Sequence, residues 1–516
     1  MNKSNMPVSD KNSPVKYCFF MTGNEPWLEL ARELHNTGVA TPVLWLGDDR
    51  HYEGAKSTFG DSVVRMLDFV HRPVDIPKIN YLGEYSEFFA TKDYLDAKDI
   101  CLKMMDRLDL NGTFSRIDRE VYFHKLLIWA LKFFYEKKPD AVLMIEKPHS
   151  HAQYLIFRVA RYLGLPTAHF KDCALMPVNF LQKEDGSFVK RAQNIDPSLL
   201  ARFESTVNEY VDTLKELSCS KSSFSPHYMV RQRNDARLGN RIKKIFSVET
   251  LYVLRYAASD IKLLLDKKYR ATNPYRFFFV SRYLVKRSRQ RNLYNAIASS
   301  IHEVNFNNDY YYFPLHYEPE RTTNPDGEAY HDQFKVLVLL RRFLPSNIDI
   351  VVKEHPSQFL MADRGSRGRS PLFYQLVNNI GGITLAGPEV DSFDLMRNSE
   401  GVATITGSVA LEASLLGKPA IVFGQAWYAG CPNVVSWSEV ESYDTFSKCA
   451  VASVDDVRNF LVRLISNYGV PMINNCGQLN MYKECWYDDS FVSSQHDGMR
   501  GLIESFIDSE VKKRVN

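Results

Sequence analysis

Residues 402–424, VATITGSVALEASLLGKPAIVFG, decide the fold. Residues 402–405 are apolar and largely β-branched, Thr406-Gly407-Ser408 breaks the run, and residues 409–416 carry apolar side chains all round, as a helix buried beside a sheet does. Gly417-Lys418-Pro419 stops that helix, and a second strand follows over 420–423. So short a crossover places both strands parallel in one sheet. Such sheets bind ligands beyond the carboxyl ends of their strands, where a helix N-terminus offers unpaired N–H groups and partial positive charge. Gly407 and Ser408 stand at that place and are candidates for cradling a phosphate.

The same grammar recurs upstream. A buried strand over 17–21, the turn Thr22-Gly23-Asn24, a helix over 27–34 and a strand over 42–45 open a Rossmann-like domain spanning 16–193. It continues with a strand at 140–145, a helix at 153–163 and a strand at 167–170. Residues 194–303 read as a helical, basic insertion. A second Rossmann-like domain covers 304–470, with strands at 310–314, 348–352, 402–405 and 420–423. The extension 471–516 ends in an amphipathic helix over 498–511 that could pack back across the first domain. Residues 1–15 are polar, without an apolar run, and read as a disordered tail with no secretory signal.

With 516 residues, more than one core is expected. Apolar content of 45% with 24% charged residues is that of a folded chain, and no window holds the ~20 apolar residues a membrane span needs. The eight cysteines are scattered, with no CxxC pair, which argues for reduced thiols in a cytosol and against structural zinc.

Net charge is +3, yet residues 231–291 hold 17 Lys or Arg against 4 Asp or Glu, an excess of +13. Aromatics interleave with the cations, as in Tyr275-Arg276-Phe277-Phe278-Phe279. Three readings stand side by side: a solvated helical face with a basic rim, an anionic membrane surface as partner, or nucleic acid. No zinc finger, aromatic RNP motif or GXXG loop supports nucleic acid, which is left out of the expected partners. The location expected is cytoplasmic, with a peripheral place on the inner face of the cell membrane through 231–291.

Three segments of the second domain sit where strand ends bring them to one wall of a cleft: YFPLHYEPE (312–320), KEHP (353–356) and TGSVALE (406–412). Lys353 and His355 can neutralise a nucleotide phosphate, and Pro356 suits the first turn of a helix. Glu412, one helical turn after Ser408, can accept hydrogen bonds from ribose hydroxyls. His316 and Glu320 could face either donor or acceptor. In the first domain, Glu146 and Asp172 follow strands on the ligand side, where each fits a general base, a nucleophile, or merely a cap or turn. His149 and His151 are further options, and Gly23-Asn24 would give backbone to the acceptor side. No DxD tripeptide occurs, so no metal is expected, and the leaving group would be stabilised by Lys353, His355 and the helix dipole at Ser408.

With FPLHYEPE, KEHP and SFDLMRNSEGVATITGSVALEASLLGKPAIVFGQAWY, residues 310–433 resemble the bacterial capsule and surface polysaccharide biosynthesis glycosyltransferases of GT-B fold, including Kdo transferases that use a CMP-activated sugar. The first domain resembles them more loosely, through KPDAVLMIE and HFKDCALMP. The resemblance implies a GT-B-like α/β fold, two Rossmann-like domains facing a cleft with the helical basic insertion between them. His355 and Pro356 match the His-Pro motif that holds the nucleotide phosphate, Ser408 the serine opening the phosphate-binding helix, and Glu412 the glutamate in its first turns. Sialyltransferases of GT-B fold and teichoic acid glycerophosphate polymerases share a His-Pro corner, so a cytidine nucleotide is a common denominator. The expected activity is sugar transfer from a nucleotide sugar, as substrate and without cofactor, to a growing surface glycan or glycolipid. A GT-B-fold nucleotide-sugar epimerase and a non-catalytic polysaccharide-binding or export partner are the alternatives.

Overall fold

The computed structural model describes residues 13–20, 25–47, 51–65, 86–108, 115–192, 195–219, 292–360, 365–474 and 476–515. The turn residues Gly23 and Asn24 and the basic segment 231–291 lie outside the described residues. Strands β1 (Val15–Phe20), β2 (Ala40–Gly47), β3 (Val63–Arg65), β4 (Ala141–Met144), β5 (Thr167–Asp172) and β6 (Val178–Lys183) build a first sheet. Strands β7 (Tyr310–Pro314), β8 (Asp349–Lys353), β9 (Ile383–Ala386), β10 (Gly401–Thr404), β11 (Ala420–Val422) and β12 (Val434–Ser436) build a second. Strand β13 (Gly469–Pro471) returns to the first sheet and pairs antiparallel with β6.

Read from the β3 edge, the first sheet runs β3-β2-β1-β4-β5-β6-β13; the second, from the β9 edge, runs β9-β8-β7-β10-β11-β12. All pairs in the second sheet are parallel. In each lobe the order reverses beside the lobe's first strand, so each has a switch point, between β1 and β4 and between β7 and β10. Ligands of open α/β sheets bind in the crevice beyond the strand ends at that point. Two Rossmann-like sheets set this way are a GT-B-like fold.

Burial explains the strands. β4 reads AVLM and is buried throughout, as a central parallel strand must be with helices on both faces. Helix Arg116–Lys137, opened by the Ser115/Asp118 capping box, covers one face with Phe123, Leu127 and Phe134. Trp27 and the C-terminal helix Asp489–Phe506, through Met499, Leu502 and Phe506, cover the other. The C-terminal helix thus lies on the first lobe. Helix Pro197–Cys219, by contrast, packs Phe203, Val207 and Val211 into one cluster with Val457 and Leu461 of helix Val454–Tyr468. Phe180 of β6 stacks on Trp427 beyond β11, ring centroids 6.2 Å apart and planes within 7°, so the lobes share apolar core beside the cleft.

Candidate active site

At the second lobe's switch point, β7 ends in Pro314 and delivers His316, while β10 ends in Thr404 and delivers the turn 405–408. His316 Nε2 lies 2.9 Å from Thr404 Oγ1 and accepts the Thr406 N–H at 3.4 Å. Accepting the Thr406 N–H requires a neutral ring with its proton on Nδ1, which makes the Thr404 hydroxyl the donor to Nε2. Burial, then the neighbouring His355 and Arg369, push this imidazole down to about 3. Thr404 Oγ1 in turn accepts the Gly407 N–H at 3.2 Å, and a Cβ on Gly407 would stand 2.8 Å from that oxygen. Glycine is what lets the turn close here.

Ser408 is exposed just beyond this turn, before helix Val409–Leu415, and its hydroxyl donates to Glu412 Oε1 at 2.7 Å. Burial pushes the half-buried Glu412 carboxyl up, and the Ser408 bond opposes the shift. The carboxylate expected to meet ribose hydroxyls therefore holds Ser408 in this state. The Gly407 carbonyl accepts the Tyr428 hydroxyl.

His355 lies beyond β8, half-buried, and its Nδ1 accepts the Ser357 N–H at 3.1 Å. That leaves Nε2 as the ring's N–H donor. Burial, then Arg369, lower its pKa to about 4, with Glu320 acting in the opposite sense. Pro356 precedes the helical turn Ser357–Leu360, and its carbonyl accepts the Phe359 N–H at 3.2 Å. Between the two histidines lies a fully buried scaffold. Arg369 Nε donates to Glu354 Oε2 at 2.8 Å, its Nη2 donates to the His316 carbonyl at 2.8 Å, and the Tyr374 hydroxyl donates to Glu354 Oε2 at 2.8 Å.

Lys353 departs from the expectation. It is 5% exposed, and its ammonium donates to the Val390 carbonyl and to Ser392 Oγ at 3.0 Å. As the last residue of β8 it lies on the same strand face as Val351, and its charge ties down the start of helix Ser392–Asn398.

The first lobe brings Glu146 from the end of β4, its own switch point, and Asp172 from the end of β5. They meet on one residue of the other lobe: Arg321 Nη1 donates to Glu146 Oε2 at 2.9 Å, and Nη2 lies 3.5 Å from Asp172 Oδ2. His149 Nδ1 stands 3.3 Å from Glu146 Oε1, and Asn474 Nδ2 donates to Asp172 Oδ1 at 3.2 Å. His151 is turned into the core against Tyr122. Glu320, beside Arg321, accepts the Arg321 N–H at 3.0 Å.

Further pairs cross the cleft. Lys171 Nζ meets Asp326 Oδ2 at 2.7 Å; Lys147 Nζ meets Glu328 at 3.5 Å and Gln425 Oε1 at 3.0 Å. Lys103 Nζ meets Glu318 at 3.3 Å, and His331 meets Asp99 at 3.0 Å. Burial opposes ionisation of Asp326, but Lys171, Lys147 and Arg321 outweigh it and hold the carboxyl well below the usual range. Arg321, Asp326, Lys147 and Lys171 went unnoticed in the sequence. The available signal was adjacency, since three of the four carboxylates anticipated there, in Glu146-Lys147, Lys171-Asp172 and Glu320-Arg321 but not at Glu412, have a cation as chain neighbour.

Two facing switch points, one lined by imidazoles and a glycine turn and the other by carboxylates, define a two-lobed GT-B-like protein with a candidate site in the cleft. Residues 231–432 match the model of the family described as capsule polysaccharide biosynthesis protein. No curated protein matches in sequence. Among solved structures, the KpsC β-Kdo 2,7-transferase of Thermosulfurimonas dismutans aligns at 10% identity over 69% of this chain and 90% of its own, with a TM-score of 0.26. The KpsC β-Kdo 2,4-transferase from the same organism aligns at 12% identity over 63% and 79%, with a TM-score of 0.25. The UDP-GlcNAc 2-epimerase of Methanocaldococcus jannaschii aligns at 13% identity over 92% and 100%, with a TM-score of 0.19.

Proposed function

We propose that this protein is a glycosyltransferase of surface or capsular polysaccharide assembly, carrying a sugar from a nucleotide donor to a glycan or glycolipid acceptor in the cleft. The observation that carries the reading is the opposition of Glu146 and Asp172 to the His316–Gly407 turn across two facing switch points. His355 Nε2–H is the donor for the nucleotide phosphate, joined by the Ser408 hydroxyl once it turns from Glu412, with a CMP-activated sugar as first candidate. Glu146 or Asp172 takes the proton of the acceptor hydroxyl in an inverting transfer. The new bond runs from that oxygen to the anomeric carbon, and the bond to the nucleotide phosphate breaks with its electron pair staying on the phosphate. Lobe closure excludes water that would hydrolyse the donor.

The reading needs no metal, so a chelator leaves transfer intact; loss that Mg²⁺ restores would count against it. Among the described residues no helix is long and apolar enough to cross a membrane, and contact with an anionic bilayer is assigned to 231–291. The deciding experiment is a melting screen of the protein against CMP, CDP, UMP, UDP, GDP and ADP, because a ligand of the native state raises the transition. A selective CMP shift supports the cytidine donor, a UDP or GDP shift keeps transfer with another donor, and no shift overturns the reading. Isomerisation of a donor without acceptor would indicate an epimerase instead.

A further inference from the structure

All the cross-cleft partners just described on the second lobe, except Gln425, lie within residues 318–331, which leave β7 and lie across the mouth of the first lobe. Within this segment Arg321 differs from the rest. Glu318, Asp326 and Glu328 each meet a lysine of the first lobe and His331 meets the single carboxylate of Asp99, whereas Arg321 divides its fork between the two carboxylates assigned to proton transfer. Its own support comes from the donor lobe. Asn324 and Gly327 N–H groups close turns onto Glu320 and Thr323, Thr406 Oγ1 donates to the Thr322 carbonyl at 2.7 Å, and the Gln425 N–H donates to the Asp326 carbonyl at 3.1 Å. The segment that holds Arg321 is thus tied to the 405–408 turn, where the donor phosphate is placed.

We infer that Arg321 is a positioning residue that sets Glu146 and Asp172 for the acceptor hydroxyl only when the donor lobe is seated against the acceptor lobe. The inference rests on the transferase reading. A planar guanidinium can hold two carboxylates at a fixed separation with one nitrogen each, which a lysine ammonium on a flexible stem cannot do. The side chains of Glu146 and Asp172 are 22% and 26% exposed, so water reaches them once the fork withdraws. With the lobes apart, neither carboxylate has its cross-cleft partner, and a bound donor faces no placed base. Base placement and lobe closure become one event, which protects the donor from wasteful hydrolysis.

The test compares wild type, Arg321→Gln and Arg321→Lys as full chains. The first readout is labelling by a water-soluble carbodiimide with glycine ethyl ester, read by mass spectrometry at Glu146 and Asp172 against the exposed Glu400 as internal reference. The second is the melting shift with CMP. The third is surface polysaccharide made by cells in which each variant replaces the wild-type gene. Arg321→Gln is expected to raise labelling of both carboxylates several-fold, keep the wild-type response to CMP, and cut polysaccharide about 100-fold, as for a displaced catalytic group. Arg321→Lys is expected to fall between, restoring charge but not the fork. Unchanged labelling overturns the clamp, and raised labelling with undiminished polysaccharide overturns its role in positioning. A wild type that responds to no nucleotide sinks the transferase reading instead, while the labelling still decides whether Arg321 holds the two carboxylates.

Discussion

Arg321 Nη1 of the second lobe lies 2.9 Å from Glu146 Oε2 of the first, joining the two switch points across the cleft. Burial alone would lower the Arg321 pKa, but Asp326, Asp172 and Glu146 around it more than reverse that, so the guanidinium is firmly charged. The electrostatics of the cleft therefore belong to a network spanning both lobes. Its polar groups are matched in pairs, and removing one member strands another.

Asp326→Asn shows this most directly. The side chains of Asp326 and Lys171 are 4% and 12% exposed, so the variant leaves a buried ammonium without its counter-charge. Breaking such a pair costs about 3 kcal/mol, whereas replacing both partners by apolar groups of similar size costs far less. Denaturant melts should show a large loss for Asp326→Asn, and adding Lys171→Met should recover most of it. A double variant as unstable as the sum of the singles would mean that the two side chains do not meet in solution.

Lys353 and His355 are two residues apart and should behave oppositely. His355→Ala removes the Nε2–H donor but little packing, so nucleotide affinity measured by calorimetry should fall about tenfold, a loss of ~1.4 kcal/mol, with stability nearly kept. Lys353→Met empties the bonds to Val390 and Ser392 and should lower stability by about 1–3 kcal/mol while leaving nucleotide affinity close to wild type. The reverse pattern would return Lys353 to the phosphate.

That pair also marks how far the sequence could be read. The βαβ unit at 401–422, the central strands and the helix that returns to the first lobe were legible because buried apolar runs and glycine stops carry their own period. Strands β3, β9, β12 and β13 were not, being edge strands of three or four residues, too short to show any period, and neither was the interior strand β6, whose buried Asn179 and Gln182 break its apolar run. Side-chain direction at strand ends was equally hidden. Lys353 and His355 both follow an apolar strand, and only tertiary packing decides that one turns inward to Val390 and the other keeps a ring nitrogen outward. The cross-cleft pairs could not be read at all, since Glu146 and Arg321 are joined by no local pattern.

Charge at 231–291 offers a test of where the protein works. Reversing several cations between Arg276 and Arg291 should reduce sedimentation with vesicles of anionic lipid and flatten its dependence on salt, each basic residue near such a surface contributing about 1 kcal/mol. Unchanged sedimentation would return this segment to a solvated face.

The two histidines give stability a pH dependence whose sign is fixed. His316 and His355 are held to about 3 and about 4, while the same rings in the unfolded chain titrate near their ordinary value of 6.5. As pH falls below 6.5 the unfolded state takes up protons that the folded rings refuse, so the stability present at neutral pH is lost toward pH 4 and, for His316, further toward pH 3. Each ring contributes at most about 1.4 kcal/mol per pH unit in that window. Between pH 7 and pH 5 the loss in unfolding free energy should therefore be smaller by about 2 kcal/mol in His355→Ala than in wild type, and by a similar amount in His316→Gln. Glutamine at 316 retains an oxygen for the Thr404 and Thr406 donors, which separates the titration from the loss of those bonds. Identical slopes for wild type and both variants would mean that the rings are open to water and protonate normally, and would remove the neutral N–H donor from the phosphate site.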